Sequence, residues 1–268
     1  MQNVHVEQTG RVAVVTLDRP PVNALDSQTF NELGEAFEAF AHDRSVSVAI
    51  LTAAGERTFC GGVDLLDSPR RHRPDGRAYD GGPQGDPADQ IDPGRVVRRC
   101  FWGIYDCAVP VIAAVNGAAI GAGVALVGSC DLIVASDQAR FALKEITVGV
   151  LGGVKHAQRL LGPFKAKRMF LTGEWLLAGE LHRLGAVEAV VPSDQLLVTA
   201  MDLAEQTAAN SPIAVRLAKE SANRVEHLPL QDGYRLEQDY TVRVNRYADA
   251  TEARQAFLEK REARFAWE

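Results

Sequence analysis

The sequence lacks the signatures that most quickly assign a chain to a class of protein. Its four cysteines include no C-x-x-C pair, so neither a zinc site nor a disulfide framework is predicted. No run of Lys or Arg resembles a nucleic-acid face, and the net charge is −6. A few local Lys or Arg residues can still bind a phosphorylated ligand. Composition therefore argues only against a general polyanion binder.

Two further absences concern targeting and membranes. The N-terminal residues MQNVHVEQTG show no charged stretch followed by an apolar one, so we expect no signal peptide and a cytoplasmic protein. The most apolar run, 109–127, has the length of a membrane span but carries Pro110, Asn116 and several glycines. A strand, a turn and a buried helix are predicted there instead.

What is present is typical of an α/β protein with a large core. The chain has 268 residues, of which 46% are hydrophobic and 24% charged. Asp26 or Ser27 is expected to cap a first helix, whose apolar residues recur at helical spacing. Apolar, β-rich runs that predict buried strands lie at 11–17, 47–55, 110–117 and 131–136. Alternation of such strands with helices predicts an α/β architecture with buried sheets.

The composition changes twice along the chain. Residues 67–94 are rich in Pro, Gly, Asp and Arg, which predicts a mobile lid or a disordered insertion. After Pro163 the pattern is mainly helical, and helices are predicted at 164–171, 178–184, 195–210, 212–226, 228–248 and 251–265. Apolar residues in the last two helices can fold back on the core or pack on another subunit. We therefore divide the chain into a core, 1–195, and a helical C-terminal region, 196–268.

Two glycine-rich segments are candidates for binding an oxygen anion. FCGGVDL, 59–65, follows a strand, and its paired glycines let backbone N–H groups point at a ligand, although strand–Gly–Gly turns are also common elsewhere. NGAAIGAG, 116–123, lies between a strand and a small-residue helix whose N-terminus favours an anion. A dinucleotide fingerprint fits poorly, because Leu126 occupies the third glycine position. No G-x-S-x-G supports a serine hydrolase.

The third segment, FALKEI at 141–146, places Glu145 among apolar residues before the glycines 149, 152 and 153. A buried carboxylate tends toward a raised pKa, which suits it to proton exchange near neutral pH. A surface glutamate or a helix cap is an equal alternative. Cys60 is expected to be a small buried hydrophobe rather than a nucleophile, and Asp131 to anchor a strand.

Taken in order, six segments resemble the crotonase superfamily, also called the enoyl-CoA hydratase/isomerase family. They are LDRPPVNAL from Leu17, FCGGVDL, VNGAAIGAGVAL, CDLIVAS, ARFALKEITVGV and QAFLEKR from Gln255. The resemblance implies a ββα-spiral core with a C-terminal helical trimerisation region, and trimers that often stack into hexamers. It also implies an acyl-CoA thioester as the partner, with coenzyme A entering as part of the substrate and no metal or redox cofactor.

The resemblance further implies roles for single residues. The N–H groups of Val63 and Ala122 would form an oxyanion hole for the thioester oxygen, and Glu145 would be the main acid/base. The site residues expected to cradle coenzyme A are Ala24, Gly61, Leu65, Phe257 and Lys260. Lys260 can equally be a solvated helix charge.

One departure from the family pattern bears on the reaction. Ala125 stands where hydratases of the family usually carry a first carboxylate, so only the second, Glu145, remains. A single base suffices for shifting a double bond, whereas hydration commonly uses two carboxylates. His156 and Gly153 are auxiliary candidates, with a purely structural histidine as the alternative. We expect hydration or double-bond isomerisation of an enoyl-CoA; decarboxylation, C–C hydrolysis or a non-catalytic acyl-CoA binder are the alternatives.

Overall fold

The computed structural model describes residues 1–65, 91–92 and 94–267, so the predicted insertion at 67–94 lies outside the described residues except at 91, 92 and 94. Ten strands lie within the described residues: β1 Val4–Thr9, β2 Val12–Leu17, β3 Val48–Ala53, β4 Thr58–Cys60, β5 Val111–Val115, β6 Ala118–Ile120, β7 Leu132–Ser136, β8 Arg140–Ala142, β9 Leu176–Leu177 and β10 Ala189–Val191. Their α-helices are α1 Ser27–Ala39, α2 Arg95–Tyr105, α3 Ala122–Ser129, α4 Val154–Thr172, α5 Ala178–Arg183, α6 Leu196–Ala208, α7 Pro212–Val225, α8 Leu230–Val244 and α9 Ala248–Glu259. Two short 3₁₀ turns span Glu145–Val148 and Ser193–Gln195.

The strands form two sheets, and from β3 to β8 consecutive strands alternate between them. The larger sheet has the order β1-β2-β3-β5-β7-β10 and is parallel except for the β1–β2 pair. The smaller sheet has the order β4-β6-β8-β9, and its strands β4, β6 and β8 are mutually parallel. Each of β3, β5 and β7 is therefore followed by a short strand in the second sheet. This arrangement confirms the predicted α/β core.

The larger sheet is buried on both faces, which is why its strands read as nearly continuous apolar runs. On one face, Val48, Ile50 and Ile112 pack against α6. On the other, Leu51, Ala113 and their neighbours join the main core with α1 and α3. Asp26 caps α1 by accepting a hydrogen bond from the N–H of Thr29 at 2.7 Å, as the sequence predicts.

The run 109–127 forms β5 and the start of α3, as predicted, but the short strand β6 lies where only a turn was predicted. Within the described part of the chain, no helix combines the length and apolar character needed to cross a membrane. Asp131 anchors β5, because its Oδ2 accepts a hydrogen bond from the N–H of Val111 at 2.7 Å. The same oxygen pairs with the buried Nζ of Lys219 at 2.8 Å, which ties α7 to the core.

The helical half differs from the prediction at two helix boundaries. Helix α4 begins at Val154 rather than near residue 164, and Gly162, at φ 70°, interrupts it before Pro163 starts its second part. Helix α9 ends at Glu259 because Lys260 adopts a left-handed conformation. Helix α6, assigned from sequence to the C-terminal region, packs on the larger sheet, whereas α7 and α8 share a small cluster of their own. The division at residue 195 stays a prediction.

Candidate active site

The three candidate segments meet at one edge of the smaller sheet. Cys60 of β4 pairs with Ala119 of β6, and Ile120 of β6 pairs with Ala142 of β8. Because these strands are parallel, their carboxyl ends lie side by side, and the chain leaves each of them into one of the candidate segments. Ligands of open α/β sheets commonly bind at such edges.

Val63 lies where the chain leaves β4, and its backbone is oriented by a bridge to Leu25. The N–H of Leu25 donates to the carbonyl of Gly62, and the N–H of Asp64 donates to the carbonyl of Leu25, both at 2.8 Å. Successive N–H groups of an extended segment point in opposite directions, so the N–H of Val63 points away from Leu25. Gly62 allows this path through its φ of 96°.

Ala122 is the first residue of α3, where backbone N–H groups have no acceptor within the helix. The start of α3 packs closely on the end of β4, since a Cβ atom at Gly123 would lie only 2.7 Å from the carbonyl oxygen of Cys60. Both proposed donors thus follow neighbouring strand ends, and the helix dipole adds to the preference for an anion.

Glu145 begins the 3₁₀ turn after β8 and reaches the start of α3. A Cβ atom at Gly121 would lie 2.8 Å from the Glu145 carboxyl carbon, and one at Gly152 would lie 3.7 Å from its Oε1. Its Oε2 is buried and has no hydrogen-bond partner among the described residues. Burial raises the pKa of the Glu145 carboxyl, because desolvation disfavours the charged form. The group is therefore poised to exchange a proton with a ligand held at the same edge.

The residues expected to cradle coenzyme A are brought together only in part. The N–H of Gly61 donates to the carbonyl of Val22 at 2.9 Å, and the Leu65 side chain is exposed beside Val63. Ala24 precedes the residue bridged to Val63, so these positions form one margin of the site. Phe257 and Lys260 lie in α9 and at its end, both exposed, and no hydrogen bond or ion pair of the described residues links them to this margin.

His156 lies on α4, the helix that packs beside α3, and Gly153 directly precedes that helix. Gly153, at φ 75°, precedes α4, and a Cβ atom there would lie 2.8 Å from Leu143. The His156 ring packs on Phe101 with ring centroids 5.1 Å apart, and its Cβ faces Gly128. Burial, with a smaller effect of Arg159, lowers the pKa of His156.

Glu145 and His156 face opposite ends of α3. Gly121 and Gly128 are seven residues apart, which corresponds to about 10 Å along a helix. No hydrogen bond joins Glu145 to His156 in the described residues. Ala125 lies between these ends and is 2% exposed.

Cys60 is fully buried, and burial raises the pKa of its thiol to about 12, so it is a packed hydrophobe as predicted. The described residues contain no cluster of three His, Cys, Asp or Glu side chains that could hold a metal ion. The sequence reasoning did not single out Arg19, whose guanidinium forms ion pairs with both Asp26 and Asp64. Asp64 is 45 residues from Arg19 in sequence, so only the fold reveals that pair.

Comparison with known proteins agrees with this architecture. The family model described as Enoyl-CoA hydratase/isomerase matches residues 7–268. A carnitinyl-CoA dehydratase from Proteus mirabilis is 37% identical over 97% of both chains. A (7aS)-7a-methyl-1,5-dioxo-2,3,5,6,7,7a-hexahydro-1H-indene-carboxyl-CoA hydrolase from Mycobacterium tuberculosis is 37% identical over 93% of this chain and 95% of its own.

Solved structures agree as well. The crystal structure of an enoyl-CoA hydratase from Bacillus anthracis superposes with a TM-score of 0.87, at 32% identity and with both chains fully covered. The family resemblance and the expectation of an enzyme are thereby confirmed. The chain belongs to the enoyl-CoA hydratase/isomerase family of the crotonase superfamily.

Proposed function

We propose that this enzyme binds an acyl-CoA thioester and moves a proton at its α-carbon through Glu145, hydrating a 2-enoyl-CoA or shifting a double bond. The observation that carries the proposal is the buried Oε2 of Glu145, which belongs to a carboxyl beside the start of α3 and has no hydrogen-bond partner in the part of the chain that the structure describes. This carboxyl lies at the same edge of the smaller sheet as the two proposed backbone donors, the N–H groups of Val63 and Ala122. A ligand bound there could therefore exchange a proton with it.

The thioester oxygen would accept hydrogen bonds from the N–H groups of Val63 and Ala122. Negative charge develops on this oxygen when the α-carbon loses a proton, or when water adds at the β-carbon of an enoyl thioester, because both steps form an enolate; protonation of the α-carbon then removes the charge. A pre-organised donor to such an oxyanion typically contributes about 3 kcal/mol to the transition state. The start of α3 adds a favourable dipole at the same place.

Glu145 would remove and return the proton. Its raised pKa brings the carboxyl nearer to neutrality, where one group can serve as base and then as acid. Isomerisation needs only this exchange between two carbons. Hydration with Ala125 in place of a second carboxylate would require Glu145 to activate water and also to handle the α-carbon proton.

A second candidate reaction is hydrolytic cleavage of a C–C bond through the same enolate. It is favoured by the relatives from Rhodococcus jostii and Mycobacterium tuberculosis that are named as hydrolases of an indene-carboxyl-CoA, each 37% identical to this chain. A non-catalytic acyl-CoA binder is the remaining alternative, and it would show affinity without product.

The test is turnover of a panel of 2-enoyl-CoA, 3-enoyl-CoA and cyclic β-ketoacyl-CoA esters in D₂O, with products identified by mass and deuterium content. Glu145→Gln is expected to keep thioester affinity and to lower kcat by about 10²- to 10⁴-fold. Glu7→Gln, at an exposed position on β1, is the matched control and should retain full activity. Near-normal turnover by the Glu145 variant would remove this residue from the mechanism.

Assembly into a trimer or hexamer is also proposed. Exposed apolar side chains on α8 and α9 support it: Leu230 is 87% exposed and Phe257 83% exposed. Light scattering that detected only a 29.0 kDa species at micromolar concentration would contradict it. The expected cytoplasmic location remains a prediction, which cell fractionation would test.

A further inference from the structure

One guanidinium group binds three acceptors at the margin of the site. Arg19 follows β2, and its Nε pairs with Asp26 Oδ2 at 2.9 Å. Its Nη2 donates to Asp64 Oδ2 at 2.8 Å, and its Nη1 donates to the carbonyl of Ala24 at 2.9 Å. The side chain is only 25% exposed. Hydrogen bonds between charged groups of this kind are shorter and stronger than neutral ones.

The loop that carries Arg19 is itself fixed to the core. The N–H of Arg19 donates to Asn23 Oδ1 at 2.9 Å, and the N–H of Asn23 donates back to the carbonyl of Arg19 at 2.8 Å. Asn23 Nδ2 donates to the carbonyls of Ala54 and Thr58, at 3.1 and 3.0 Å. Asp26, the other end of the loop, caps α1. Hydrogen bonds to the core therefore hold the loop from which the Arg19 side chain extends.

The segment with the proposed donor is joined to the same loop through backbone hydrogen bonds, since Gly62 and Asp64 both bond with Leu25. After Cys60 the chain leaves the smaller sheet, and Val63 pairs with Leu25 through an isolated bridge rather than a strand. The next residue, Asp64, is the one that Arg19 binds. Arg19 thus connects the residue following the donor to a loop anchored on β3, β4 and α1.

We propose that Arg19 is a positioning residue of the oxyanion hole, which acts together with the Leu25 bridge and fixes the direction of the Val63 N–H by holding Asp64. The inference rests on the proposed function, since it assigns a purpose to the same donor. Its ligand is the enolate oxygen of an acyl-CoA thioester, and Arg19 acts on that oxygen only through the backbone. A misplacement of a catalytic group by about 1 Å can reduce the rate by about 100-fold.

The variants are Arg19→Lys, Arg19→Gln and Asp64→Asn. Lysine keeps the charge but lacks the rigid, planar fork through which three separate nitrogens of Arg19 meet three acceptors, so Arg19→Lys should be impaired nearly as much as Arg19→Gln. Arg216→Lys is the matched control, because Arg216 likewise binds the carbonyls of Phe40, Asp43 and Val46, in a different loop. Urea unfolding establishes the stability of each variant.

The decisive readout is the fraction of bound acetoacetyl-CoA that is ionised to its enolate, followed by ultraviolet absorbance. We expect the Arg19 variants and Asp64→Asn to lower this fraction and to reduce kcat about 10- to 100-fold, with KM changed far less. Arg216→Lys should keep both values whatever it does to stability. A wild-type enolate fraction and kcat in Arg19→Gln, or equal losses in Arg216→Lys, would overturn the inference.

Failure of the inference can be told from failure of the proposed function. If the wild type turns over an acyl-CoA and Glu145→Gln abolishes that turnover, the proposed function holds even when Arg19→Gln is fully active. If the wild type yields no product on any ester and binds acetoacetyl-CoA without ionising it, the proposed function fails and the role of Arg19 fails with it.

Discussion

Gly121→Ala would add one methyl group at the closest contact of the candidate site. Gly121 has φ 56° and ψ −110°, a conformation that residues with a Cβ rarely adopt. The added Cβ would overlap Oε1 of Glu145 and lie 2.8 Å from its carboxyl carbon. The carboxyl must therefore move, and the backbone is strained whether or not it does.

Two costs follow from this geometry. A non-glycine residue in such a region costs about 1–3 kcal/mol of stability. Displacement of the carboxyl from its position should reduce kcat by about 10²- to 10⁴-fold, the contribution usual for a positioned acid or base. The loss of activity should thus exceed what the stability change alone explains.

Gly10→Ala separates the two costs. Gly10 has φ 58°, close to that of Gly121, but a Cβ there would meet no atom of residues 1–65, 91–92 or 94–267 within 4 Å. It should lose stability in urea unfolding while keeping full turnover of the acyl-CoA substrate. In a Glu145→Gln background, Gly121→Ala should lower kcat by less than about threefold more, because both changes act on one group.

Two results would refute this reasoning. The first is wild-type turnover by folded Gly121→Ala, which would mean that the carboxyl position does not matter. The second is a fold-loss of kcat in the double variant equal to the product of the fold-losses in the two single variants, which would mean that Gly121 acts independently of Glu145.

Three further predictions concern neighbouring groups. Ala125→Glu should raise the rate of hydration relative to that of isomerisation. It should also lower the free energy of unfolding, measured in urea, by about 1–3 kcal/mol, because it adds an ionisable group at a buried position. Efficient hydration by the wild type that the substitution does not increase would contradict the first expectation. The raised pKa of Glu145 adds stability that is present below its ordinary pKa of 4.5 and is lost as pH rises through the pKa of the folded protein. Urea titrations at stepped pH should therefore show the wild type losing stability relative to Glu145→Gln over that range. Parallel stability curves for the two proteins would contradict this. Cys60, with a thiol pKa of about 12, should resist iodoacetamide at pH 8 until urea unfolds the chain, and rapid labelling of the native protein would disagree.

The local parts of the fold were predictable because their signals lie within single segments. Strands β2, β3, β5 and β7 are long apolar runs buried on both faces, and their composition alone distinguishes them. Helix α1 was predictable from its cap at Asp26 and its helical apolar spacing. The glycine-rich segments were recognisable because φ values such as that of Gly62 favour glycine.

The sequence did not predict the smaller sheet, and this sheet brings the candidate site together. Strands β4, β6 and β8 have three residues each, too few for an alternating pattern to stand out. Helix α4 was predicted too late for a related reason, since Gly152 and Gly153 read as part of a turn rather than as the approach to a helix.

The sequence by itself determined the family, the core strands and the residue types of the site. The tertiary structure decided which of those residues meet. Glu145 lies beside Gly121 because β6 and β8 are parallel neighbours whose ends coincide. Arg19 binds Asp64, 45 residues away, because the loop after β2 passes the end of β4. Such contacts depend on the pairing of distant segments, and no pattern within one segment encodes that pairing.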